Sequence, residues 1–174
     1  MSEFQLILQQ LKQPEYVHVL LNPLPVYGLA MGVLALVVAL VLRNAPARAV
    51  ALILTIVACA SVWLVARYGH LGYDRVYAMS NRDAQEWLDV HAQRAELLQY
   101  SFYLAGLVAL AALVSQWKFP KATTLLTFLT LLTSVLALAL GGWISHAGGQ
   151  VRHSEFREGP PPQPATPHPH ARPH

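Results

Sequence analysis

A chain of 174 residues with 55% hydrophobic and 12% charged side chains, at a mean hydropathy of +0.38, is not a water-soluble globule; such domains carry roughly 25% charged residues. Twelve Lys and Arg against nine Asp and Glu leave a formal +3, too small a surplus to argue for nucleic acid. The single cysteine, Cys59, lies in an apolar run and excludes a disulfide framework.

The N-terminus reads as a short amphipathic helix. Ser2 and Gln5 have capping-box spacing, and Phe4, Ile7, Leu8 and Leu11 share one helical face. Such a helix lies on the membrane interface rather than crossing it. Pro14 is expected to end it, and Asn22-Pro23-Leu24-Pro25 to turn the chain into the first span.

Four stretches lacking Asp, Glu, Lys and Arg follow, and the spans are expected at about 25–42, 49–66, 97–117 and 122–145. A spanning helix needs roughly 20 apolar residues. The fold class is therefore all-α, an integral membrane four-helix bundle over residues 1–158. The first span starts too late, and lacks the basic leader, to be a signal peptide. The loop with Arg43 and Arg48 and the loop with Lys118 and Lys121 contain no acid. Positive short loops mark the cytoplasmic face, which puts both termini and the middle loop in the periplasm of a bacterial inner membrane.

Within the middle loop, Gly69-His70-Leu71-Gly72 reads as irregular, while Ser80 and Asp83 signal a helix that begins near Asn81 and continues into the third span. The segment 159–174 is rich in Pro and His and is expected to be disordered or polyproline-like. Its His168, His170 and His174 are a weak metal-scavenging signal.

Small residues pack membrane helices. The fourth span has such a ridge in Thr123, Thr127, Thr130, Ser134, Ala137, Gly141 and Ser145, and the third in Ser101, Ala105, Ala109 and Ala112. The ridges serve bundle packing, and they also leave room for a flat cofactor. Trp63, Trp87 and Trp143 at one boundary and Trp117 at the other read as an aromatic belt.

The histidines are the informative feature. His18, His70, His91, His146 and His153 all fall at the outer ends of elements. Imidazoles at one level of a bundle are how membrane proteins hold haem or a transition metal. His91 shares a heptad face with Leu98, Ala105 and Ala112 and is expected to point into the bundle. His146 and His153 share a face if the helix survives Gly148-Gly149. His91 and His146 are the preferred axial pair for a b-type haem, with His18 and His153 as a second pair or as supporting ligands. Arg75, Arg94 and Arg152 lie on the correct side to meet propionates. No Cys-x-x-Cys-His element exists, which excludes covalent haem. The same four histidines, lacking carboxylates, also suit copper or zinc.

No phosphate loop, nucleophile elbow or His-Glu-x-x-His motif occurs, and the spans carry no charge. An electron carrier or an accessory subunit fits better than an enzyme or an ion pathway.

On these residues the chain resembles a family of uncharacterised bacterial four-helix membrane domains, sometimes fused to or encoded beside Rieske-type redox proteins. That family opens with His-Pro-x-x-Val-His-Phe-Pro and ends with Gly-His-x-Gly-Gly and a further histidine. Here His18 and Pro25 match the ends of the first motif, with Val19 and Pro23 replacing its first proline and second histidine. His91 matches a histidine ahead of the third helix, and Ser145-His146-Ala147-Gly148-Gly149 resembles the second motif, with His153 following. The resemblance implies a haem-binding or redox-associated membrane domain.

Three functional readings stand at this point. The first is a b-type haem protein passing electrons at the periplasmic side. The second is a periplasm-facing metal-binding protein. The third is an accessory subunit of a larger membrane complex, its histidines only hydrogen bonding.

Overall fold

The computed structural model describes residues 2–160. The chain forms α1 (Glu3–Gln10), α2 (Pro14–Leu21), α3 (Pro23–Val41), α4 (Ala45–Met79), α5 (Arg82–Lys118), α6 (Pro120–Arg152) and a single 3-10 turn (Ser154–Phe156). Four helical stretches, Pro14–Val41, Ala45–Met79, Arg82–Lys118 and Pro120–Arg152, are long and apolar enough to cross a membrane. The segment beyond Pro160, with the tail histidines, lies outside the described residues.

Local chemistry sets the helix ends. Ser2 accepts from the Gln5 amide and Gln5 reaches back to the Ser2 amide, the reciprocal cap that starts α1. Proline opens α2 and α3 instead of turning the chain. Asn22 keeps right-handed helical angles (φ −53°, ψ −34°), and Pro23 and Pro25 sit in the first turn, where a missing N–H costs nothing. The expected turn at 22–25 is thus a helical junction. Asn44 caps α4 through the Ala47 amide. Asn81, not Ser80, caps α5 through the Ala84 amide; the Ser80 hydroxyl donates back to the Val76 carbonyl. At the end of α6, Arg157 donates to the carbonyls of Gln150 and Val151, which the helix itself leaves open.

The four long helices form a closed ring. α3 and α5 each pack between α4 and α6, and α2 lies along the distal part of α4. The core is made of small side chains: Ala105, Ala109, Ala112 and Ala137 are buried, with Thr127, Thr130 and Ser134 beside them. The ridge read on the fourth span is buried from Thr123 to Gly141; on the third, Phe102 rather than Ser101 turns inward. Buried hydroxyls return to their own helix, as Thr127 Oγ1 to the Thr123 carbonyl and Thr55 Oγ1 to the Ala51 carbonyl. The Ser115–Thr123 bond, 3.0 Å, instead ties α5 to α6. Leu107, Leu125, Leu132 and Val135 face outward, as lipid contact requires.

α4 has 35 residues, α5 37 and α6 33. At 1.5 Å per residue each is about 50 Å long, against roughly 30 Å of bilayer hydrocarbon. The excess lies at the end bearing both termini, because Arg43, Arg48, Lys118 and Lys121 bound the other end closely. The middle segment is therefore helical where a loop was expected: Gly69-His70-Leu71-Gly72 lies within α4, and Gly148-Gly149 within an unbroken α6. Packing explains this. A Cβ on Gly72 would stand 2.9 Å from the Glu15 backbone, so glycine lets α2 dock. Trp87 is not part of a belt: it is buried in a cluster with Ala84, Val90, Ala147 and Val151, whereas Trp63, Trp117 and Trp143 are exposed.

Candidate functional site

A cavity of about 770 Å³ opens among α2, α4, α5 and α6 at the termini-bearing end. Its deep wall is apolar, with Val26, Val62 and Phe102; Arg75, Arg152, His70 and His153 also line it. Pockets that hold organic cofactors are roughly 300–1,000 Å³, mostly apolar, with a few placed polar groups.

Two half-buried imidazoles face each other in it. His18 comes from α2 and His91 from α5, with ring centroids 6.2 Å apart and planes at 77°. Each ring is anchored to the neighbouring long helix. His18 Nδ1 lies 2.9 Å from the Val65 carbonyl of α4, and His91 Nδ1 lies 3.0 Å from the Ile144 carbonyl of α6. A carbonyl only accepts, so Nδ1 carries the proton and, in the neutral ring, Nε2 presents a lone pair. Among the described residues neither Nε2 has a hydrogen-bond partner.

Glycine makes room for each ring. A Cβ on Gly69 would stand 2.9 Å from His18 Cε1 and Nδ1. A Cβ on Gly148 would stand 3.0 Å from the same atoms of His91. The first is closer than real Cβ atoms come and the second is at the edge of what they tolerate, so a side chain at either position would push the imidazole away.

The other candidates separate from this pair. His146 is exposed, rests edge-on against Trp87 at 6.3 Å and does not line the cavity. It stands two residues before Gly148, about 200° around the helix, so the expected His91–His146 pairing is replaced by His18–His91. His153 ends α6, stacks on Phe156 and donates from Nδ1 to Glu155 Oε1 at 2.9 Å. That bond holds the Glu155 carboxyl below the usual carboxylate range, together with Glu155's own backbone amide, the larger cause. Arg94 turns outward: its guanidinium lies 4.2 Å from the Trp143 ring centroid and donates to the Trp143 carbonyl. Arg152 lines the cavity and is exposed. Arg75 lines it too, paired with Glu15 at 2.9 Å. Among the described residues no three His, Cys, Asp or Glu side chains converge on one point.

One buried contact has no signal in the sequence. Tyr73 on α4 donates to Asp89 on α5, and both are buried. Gly69 did have a signal, since glycine inside an otherwise helical stretch marks close approach of another group.

No family model, curated protein or solved structure matches the chain.

Proposed function

We propose that this chain is a membrane-embedded b-type haem protein that exchanges electrons at the end of its bundle bearing both termini. The observation that carries the reading is the 6.2 Å separation of the His18 and His91 rings. An imidazole nitrogen lies about 2 Å from a metal it ligates and about 1 Å from its own ring centroid, so two rings on opposite sides of one ion stand about 6 Å apart.

The donor set favours haem over a bare ion. Zinc or copper commonly takes three or four protein ligands, and among the described residues two imidazoles converge here. A porphyrin supplies most of its iron's donors itself, so two imidazoles from the protein would suffice to hold it. Bound haem would supply a one-electron carrier. His18 and His91 would hold it, their Nδ1–H groups fixed by the Val65 and Ile144 carbonyls, which raises ligand basicity. Arg152 and Arg75 would meet the propionates. Val26, Val62 and Phe102 would exclude water from the macrocycle.

The charge pattern of the short loops supports a bacterial inner membrane with this end in the periplasm. α1 then lies along the interface, with Phe4, Ile7 and Leu8 exposed on its apolar face. A redox protein or a larger membrane complex meeting that end would be the electron partner.

Titrating haemin into the purified protein in detergent tests the reading. The expected result is a Soret band that shifts on dithionite reduction, at one haem per chain. A protein that takes up no haemin, whether it carries copper or zinc or nothing at all, overturns it.

A further inference from the structure

The two halves of the chain repeat one another in burial as well as in site chemistry. Counted from His18, the buried residues of α3 beyond Pro25 are Leu29, Gly32, Leu36 and Ala39, at +11, +14, +18 and +21. Counted from His91, α5 buries Phe102, Ala105, Ala109 and Ala112 at the same four offsets. The second helix of each half agrees as well. Counted back from Gly69, α4 buries Val62, Ala58, Thr55 and Ala51 at −7, −11, −14 and −18, with Leu52 and Cys59 buried besides. Counted back from Gly148, α6 buries Gly141, Ala137, Ser134 and Thr130 at those offsets.

Helical periodicity spaces buried positions three or four apart on any one helix; here their phase also meets a cavity-lining histidine, on the α2–α3 stretch in one half and on α5 in the other. The packing agrees: exchanging α3 with α5 and α4 with α6 leaves every neighbour relation in the ring unchanged. That is a two-fold relation along the bundle axis, the arrangement of parallel repeats in other membrane proteins.

The site obeys the same relation. Val65 and Gly69 are four residues apart on α4, and Ile144 and Gly148 are four apart on α6. In each half the carbonyl takes the ring's Nδ1 proton, and the glycine four residues on lies against that ring. A helical carbonyl has a second lone pair free for this after accepting its own amide. Without a Cβ at the fourth residue, the ring can reach it.

We infer that the chain is an internal duplication of one two-helix unit, and that Gly69 and Gly148 are its equivalent positioning residues, each seating one imidazole on a helical carbonyl. The pocket is thus built of two equal half-sites facing across an axis. This deepens the haem reading, which supplies only the identity of the group between the rings.

The test is nitrogen-15 NMR of histidine-labelled protein in detergent without haemin, followed by haemin titration. The native protein should give two downfield, slowly exchanging Nδ1–H resonances, assigned by His18→Gln and His91→Gln. Gly69→Ala should displace the His18 resonance alone, and Gly148→Ala the His91 resonance alone. Gly142→Ala, outside the cavity lining and where an added Cβ meets nothing within 4 Å, should displace neither. With haemin, the first two variants should alter the low-spin electron paramagnetic resonance signal and Gly142→Ala should not.

A native spectrum with only one such resonance overturns the inference, and needs no variant to fold. So does a Gly69→Ala or Gly148→Ala protein whose ring resonance stays in place. If the resonances behave as expected and haemin does not bind, the duplication stands and the haem reading falls. If haemin binds and the resonances do not respond, the haem reading stands and this inference falls.

Discussion

His18 and His91 stand edge to face across one cavity although α3 and α4 separate them in the chain, and each is tied by Nδ1 to a different helix, His18 to α4 and His91 to α6. In the haem reading both rings would be needed to hold the group. His18→Ala and His91→Ala should each abolish the six-coordinate low-spin spectrum of the haemin-loaded protein. His146→Ala should leave it intact, because that ring lies against Trp87 outside the cavity. Reduced-minus-oxidised difference spectra of the three variants check this.

Charge around the cavity should tune the potential. A cation near a haem favours the reduced state, so Arg152→Gln should lower the midpoint potential by on the order of tens of millivolts, as for a unit charge in a partly solvated site. The shift should shrink at high salt, since Arg152 is exposed. Arg94→Gln should change the potential much less, its guanidinium being committed to the Trp143 face. Redox titration at two ionic strengths measures both.

The bond between Tyr73 and Asp89 joins α4 to α5. Tyr73→Phe would leave a buried carboxylate short of a donor, a cost of about 1–3 kcal/mol. Thermal unfolding of the variant in detergent should show a lower midpoint, while Tyr77→Phe, on the neighbouring stacked ring, should change little.

Close packing at Gly141 makes a paired test. A Cβ there would stand 2.7 Å from Phe102 Cζ. Gly141→Ala should therefore destabilise the bundle by about 1–3 kcal/mol through overpacking. Adding Phe102→Leu should recover part of the loss, and the double-mutant cycle reads the coupling. Since Phe102 also lines the cavity, the single variant should weaken haemin uptake as well.

The four spans and their inward faces were legible because lipid imposes a single rule over long stretches: no charge, and small residues where helices meet. His91 could be placed by counting heptads down to Ala105 and Ala112, both fully buried. His18 could not, because its direction depends on whether Pro23 and Pro25 turn the chain or begin a helix, and only the helical angles at Asn22 decide that. His146 was drawn into the site by the glycines beside it. Those glycines do mark a ring, but the ring is His91 arriving from another helix. The helical run through His70 was missed because the two glycines around it read locally as breakers, while what they admit, His18 and the Glu15 backbone, comes from distant sequence.

The length of α4, α5 and α6 beyond the hydrocarbon bears on how such a protein can work. The pocket stands in the projecting collar, and below it the buried side chains are mainly alanine, threonine, serine and aliphatic groups, with the Cys59 thiol among them, down to Ser115 and Thr123. Among the described residues that stretch holds no histidine. Current would have to enter and leave through the same aqueous mouth, so the molecule would work as a tethered stop for diffusing or docked donors and acceptors, and not as a wire through the bilayer.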